Sequence, residues 1–164
     1  MFGCMIPDPP RRSFRLLPTI GLYLLGFAVL ASPWLSGRVT IPWDAKAHFY
    51  PQFAFLAHSL HSGQSPFWAP HVFAGMPQIA DPQSLIFSPP YLALALLDGN
   101  PGLWSADATI LAMVIIGAAS LIVWARDQGW HWAAALLTGL AFGFGGAMAW
   151  RIQHIGQVLS LVYL

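Results

Sequence analysis

Leu16 to Gly37 carries no charged side chain, and neither does Trp132 to Trp150. Uncharged stretches of that length leave few options for the fold. A backbone crossing hydrocarbon must satisfy its own N–H and C=O groups, which a helix does internally and an open strand does not. About 20 residues rising ~1.5 Å each cover the ~30 Å of a bilayer core. The run Ile20-Gly21-Leu22-Tyr23-Leu24-Leu25-Gly26-Phe27-Ala28-Val29-Leu30 therefore reads as the centre of a first span over 16–37. Trp104 and Trp124 bracket Ile110-Leu111-Ala112-Met113-Val114-Ile115-Ile116, giving a second span over 103–125 with an indole at each interface. Trp132 and Trp150 repeat the arrangement for a third span over 131–150, which carries Gly139 and Gly143. That GxxxG spacing has two readings: a groove for close helix approach, or the ordinary glycine content of membrane helices. The expected fold class is all-α, a polytopic transmembrane helical protein with a helical, interfacial outer loop between its first two spans.

Composition agrees with this. Charged residues are 8% of the chain and hydrophobic ones 57%, whereas a soluble domain carries roughly 25% charge. A net charge of +1 with no Glu gives no basic field for nucleic acid. Cys4 is the sole cysteine, which excludes an intrachain disulfide and a cysteine metal site.

Arg11, Arg12 and Arg15 precede the first span and place a tail over 1–15 in the cytoplasm by the positive-inside rule. The same arginines resemble the start of a signal peptide, with Val29-Leu30-Ala31 as a cleavage site, and an uncleaved anchor is the favoured reading. Arg126 falls on the cytoplasmic side after the second span, so 38–102 forms an extracytoplasmic loop. Leu85 to Leu97 is uncharged but contains Pro89-Pro90 and is short for a span, so it reads as interfacial or re-entrant. A further apolar segment begins over 151–164, and the chain reads as the front portion of a longer protein.

Within the outer loop, Phe49, Phe53, Leu56 and Leu60 recur at helical spacing from Ala45 to Ser62. Pro51 interrupts that pattern, so either a helix starts there or two short pieces meet. A helix with this apolar stripe suits the interface plane. Phe67-Trp68-Ala69-Pro70 and Phe73-Ala74-Gly75-Met76-Pro77 read as turns carrying aromatic anchors.

The polar residues of this loop carry whatever chemistry the chain performs. Asp44 precedes a helix, so spacing alone favours an N-cap, with a catalytic base as the sharper alternative. Lys46 lies two residues on, where helical side chains do not face each other; it either attracts a phosphate or snorkels to lipid headgroups. His48 sits four residues after Asp44, and His58 and His61 are three apart, but neither set makes a metal motif. Asp81 before Pro82 starts a turn. Asp107 reads as structural rather than as part of a substrate path. Arg151 and His154 emerge beside Trp150, on the same side as Asp44, where they are placed to bind an anionic group or lipid phosphate.

Taken in order, Asp44 with Tyr50-Pro51-Gln52, Pro66-Phe67-Trp68-Ala69-Pro70, Phe73-Ala74-Gly75-Met76-Pro77, Asp81-Pro82-Gln83, Ser88-Pro89-Pro90 and Arg151-Ile152-Gln153-His154 resemble the N-terminal part of the bacterial YfhO-like membrane protein family. That family looks like a branch of the C-type glycosyltransferases, which use polyprenyl-phosphate sugars. The resemblance implies a multi-pass protein of the bacterial inner membrane. It implies inverting transfer of a sugar from a polyprenyl-phosphate donor to a glycan, lipid or protein acceptor. It also reverses the preference at Asp44, which matches the acidic catalytic position of the first outer loop. Lys46, Arg151 and His154 become candidates for the leaving phosphate. His48, Gln52, Asp81 and Gln83 become candidates for substrate binding. The single Asp at the first motif departs from the paired acidic pattern of some C-type enzymes, so a requirement for a divalent metal such as Mg or Mn stays open. The alternative function is a non-catalytic membrane protein, transporter-like or an assembly component, in which Asp44 is an N-cap.

Overall fold

The computed structural model describes residues 15–163; Cys4, Arg11 and Arg12 lie outside them. The protein is mostly helical: α1 Leu16–Leu30, α2 Ser32–Leu35, a π-helical turn Ala45–Phe49, α3 Tyr50–Ser62, α4 Pro89–Leu97, α5 Leu103–Asp127, α6 Trp132–Phe144, α7 Gly146–Arg151 and α8 Ile155–Val162. A two-residue antiparallel pair, β1 Trp68–Ala69 with β2 Met76–Pro77, is the sheet among the described residues. Two stretches, Leu103–Asp127 and Trp132–Arg151, are long and apolar enough to cross a membrane, and Leu16–Leu30 is a shorter apolar helix.

The uncharged run over 16–37 is not one helix. It breaks at Ala31, and Pro33 sits in the first turn of α2, where its missing N–H is tolerated. The third apolar run also divides, because Gly145 takes an extended backbone between α6 and α7. A Cβ on Gly145 would collide with the carbonyl oxygen of Ala141. Glycine is thus the residue that lets α6 stop there.

α1, α5 and α6 form a three-helix bundle whose seam is the glycine pair of the third run. A Cβ on Gly139 would lie 2.6 Å from Cδ1 of Ile122, and one on Gly143 would lie 2.9 Å from the Tyr23 hydroxyl. Tyr23 is fully buried over this groove and stacks toward Phe27, which in turn meets Phe144 at 5.2 Å between ring centroids. Of the two readings of the GxxxG spacing, close approach is the one realised, since both positions are occupied by neighbouring side chains.

A second layer covers the end of the bundle where α5 starts. The π-helical turn hands over to α3 at Tyr50, with Pro51 in the first turn of α3. Two short pieces therefore meet at that proline, because it cannot donate the hydrogen bond a continuous helix needs. Phe53 of α3 meets Tyr91 of α4 edge-on at 5.0 Å, and the Tyr91 hydroxyl donates to Ala106 O on α5. Tyr50 donates to Pro101 O, and the His61 ring pairs with Ala95 O. Phe53, Leu56 and Tyr91 belong to one core that is continuous with the bundle. Full burial of each such side chain contributes about 1.5–3 kcal/mol. The segment Leu85 to Leu97 is thus a bend and turn over 85–88 followed by a nine-residue helix packed on α3.

Candidate functional site

Asp44 enters the site through an unusual backbone. Ile41 is buried and donates its N–H to Oδ2 of Asp107 at 3.0 Å, which pins the chain to the first turns of α5. Two residues later Trp43 has φ 59, in the left-handed region that costs a non-glycine residue about 1–2 kcal/mol. Trp43 O then accepts from the N–H groups of Lys46 and Ala47, starting the π-helical turn. Strained residues of this kind concentrate beside functional sites.

Asp44 stands at the N-terminus of that turn, yet its side chain makes no capping hydrogen bond. Its Oδ2 lies 3.2 Å from Nδ1 of His154, and the carboxylate remains 54% exposed. The N-cap expected from spacing is therefore not formed, because the carboxylate is turned toward a residue at the far end of the chain. His154 reaches it because α7 ends at Arg151 and the chain turns, with His154 N–H donating to Arg151 O before α8 begins.

The pair separates two cavities. One of 250 Å³ is lined by Asp44, Phe49, Pro82, Gln83, His154 and Ser160, among others. The other, of 640 Å³, is lined by Trp34, Trp43, Asp44, Trp150, Gln153 and His154 among others. Asp44 and His154 belong to both walls. The smaller space is the more polar, while three indoles give the larger one an apolar, aromatic wall.

The remaining candidates divide into two groups. Gln83 joins Asp44 and His154 in the smaller cavity. His48, Gln52 and Asp81 form a separate chain: Gln52 donates through Nε2 to Oδ2 of Asp81 at 3.1 Å, and the same nitrogen lies 3.3 Å from His48 Nε2. Asp81 Oδ1 accepts the Gln83 N–H at 2.9 Å, so the expected turn at Asp81-Pro82 forms and links the groups. His48 therefore faces Gln52 rather than Asp44. Lys46 and Arg151 are exposed at this end and line neither cavity. His58 and His61 do not come together as ligands, since His61 is committed to Ala95 O.

No group of three or more His, Cys, Asp or Glu side chains among the described residues is arranged to hold a metal ion. Asp44 and His154 offer two donors, short of the set that binds a divalent ion without substrate phosphate. Beside the site, burial first and the negative charge of Asp107 second raise the Tyr91 phenol above its ordinary value.

Sequence reasoning missed Trp43 and Gln78, the latter buried beside the His48–Gln52 chain. No local signal marks a tryptophan for positive φ, where Gly or Asn is the usual occupant. Asp107 was recognised as structural, but its partner Ile41 lies far off in sequence. No protein-family model matches the chain, and no curated protein or solved structure does either.

Proposed function

We propose that this chain is a polytopic membrane protein of the bacterial inner membrane, N-terminus cytoplasmic, whose outer end transfers a sugar from a polyprenyl-phosphate donor with inversion. The observation that carries this reading is Asp44: a half-exposed carboxylate, unused as a cap, braced by His154 between two cavities. The ordered motifs that resemble the YfhO-like family supply the reaction class. The membrane reading is supported by large apolar side chains facing outward along the helices, including Leu17, Leu25 and Val29 on α1, Ile116 on α5 and Leu137 on α6.

In the proposed reaction the Asp44 carboxylate takes the proton from an acceptor hydroxyl. The hydroxyl oxygen bonds to the anomeric carbon as the bond from that carbon to the phosphate oxygen breaks. The polyprenyl phosphate leaves with the electron pair. His154 holds Oδ2, which leaves Oδ1 to meet the hydroxyl, and so acts as a positioning residue. Lys46 and Arg151 sit at the same end as the leaving phosphate and offset its charge. A divalent ion such as Mg or Mn, if bound with donor phosphate, would stabilise the same charge. The indole-lined cavity suits the prenyl end of the donor, and the polar cavity with Gln83 suits the acceptor.

The test is transfer of radiolabelled sugar from polyprenyl-phosphate donors in membranes carrying the protein, wild type beside Asp44→Asn. Loss of a general base lowers the rate about 10²–10⁴-fold, at unchanged membrane abundance. Equal transfer by both would remove Asp44 from the chemistry. The non-catalytic rival needs Asp44 as a cap, and the absent capping bond disfavours it.

A further inference from the structure

A third cavity lies one helical turn beyond Asp44, on the other side of Asp81. Its volume is 350 Å³, within the range of small-molecule sites. His48, Gln52, His71, Gln78, Phe55 and Phe73 give its wall both polar and aromatic groups.

Three observations bear on what it takes. First, no Lys, Arg, Asp or Glu lines it, so the wall carries no permanent charge and suits a neutral ligand. Second, its walls present hydrogen-bonding groups without partners. Gln78 is 3% exposed and lines the cavity, and the described residues show no hydrogen bond to its side-chain amide. Gln52 spends its Nε2 on Asp81 and His48 while its buried Oε1 has none. A ligand with hydroxyl groups lying in the cavity supplies the Gln78 amide with the partners it lacks. Third, the mouth carries an aromatic ring turned out from the protein surface. Phe73 is 90% exposed and has φ 48, and Ala74 follows at φ 62. The loop is held in that shape by the β1–β2 pair and by Trp68, which lies so close over Gly75 that a Cβ there would sit 2.5 Å from its ring. Two successive left-handed non-glycine residues cost free energy and are retained where a side chain must be aimed.

We propose that this cavity binds a neutral sugar ring, its hydroxyls on Gln52, Gln78 and the imidazoles, and its C–H face against Phe73 and Phe55. A neutral pyranose combines donors, acceptors and an apolar face without charge, which is the pattern the wall presents. The assignment of that sugar as part of the acceptor glycan rests on the transferase reading above; sugar binding itself does not.

The test uses the purified protein in nanodiscs with methyl β-glucopyranoside, methyl β-galactopyranoside and N-acetylglucosamine as probes, read by saturation-transfer NMR. Saturable binding of at least one probe is expected. Phe73→Ala, which removes an exposed ring and no core packing, weakens it about tenfold, as loss of one stacked ring predicts. Gln78→Leu weakens it comparably. Absence of saturable binding by wild type overturns the proposal, as does wild-type affinity in both variants. Quenching by brominated lipid that is stronger in Phe73→Trp than in wild type places that ring in the bilayer and also overturns it. Sugar binding by the wild type together with normal transfer by Asp44→Asn would sink only the enzyme reading. Transfer that depends on Asp44 with no sugar binding here would sink only this one.

Discussion

Replacing Asp107 with alanine cuts the hydrogen bond that ties Ile41 to α5. The donor is a backbone N–H on a residue only 1% exposed, and the acceptor oxygen belongs to a side chain 5% exposed. An orphaned buried N–H costs about 1–3 kcal/mol. A cost of ~2 kcal/mol corresponds to a ~30-fold rise in the population of the locally opened segment, at 1.36 kcal/mol per factor of ten. The Ile41 amide should therefore exchange with deuterium about 30-fold faster in Asp107→Ala. Asp107→Asn keeps an acceptor oxygen of the same shape and should cost less than about 1 kcal/mol. Release of Ile41 also removes the restraint that holds Trp43 at positive φ, so the strain there relaxes and Asp44 loses its aim at His154. The measurement is hydrogen exchange followed by mass spectrometry in nanodiscs, with a disulfide-crosslinking readout between Asp44→Cys and His154→Cys in a Cys4→Ser background. Unchanged Ile41 protection in Asp107→Ala, or equal loss in Ala and Asn, would refute the tether.

Three further expectations follow from other parts of the structure. Gly139→Ala places a Cβ within 2.8 Å of two Ile122 carbons and should destabilise the bundle by about 1–3 kcal/mol; Gly146→Ala meets nothing within 4 Å and should stay within about 0.5 kcal/mol of wild type, both read by unfolding in mixed detergent. Gly145→Ala cannot keep the break after α6, because its Cβ meets the Ala141 carbonyl, so crosslinking between positions 44 and 154 should fall sharply. The Tyr91 phenol has a raised pKa in the fold, so its contribution is full below the unfolded value near 10 and is lost as pH rises through and above it; Tyr91→Phe should flatten the alkaline limb of the stability curve.

The sequence by itself determined the helices. Apolar runs over 16–37, 103–125 (interrupted by Asp107) and 131–150 suit a backbone that bonds to itself, and the period of Phe49, Phe53, Leu56 and Leu60 fixes which face of α3 is buried. Pro51 marked one break, because a missing N–H is a local property, whereas 16–37 reads as a single span and its break at Ala31, ahead of Pro33, appears only in the structure. The break at Gly145 was not legible, since glycine is common inside membrane helices and its need there arises from a collision with Ala141 that exists only in the turn. Only the tertiary structure decided the site. Asp44 next to a helix looks like a cap in any one-dimensional reading, and its turn toward His154 depends on the Ile41–Asp107 tether, on the left-handed Trp43 and on the division of α6 from α7. The same holds for the glycine pair, whose spacing permits a groove while Tyr23 of a different helix fills it. Period and capping patterns are short-range and can be read along the chain; the partner of a polar side chain is set by which helices pack, and that information is distributed over the whole core.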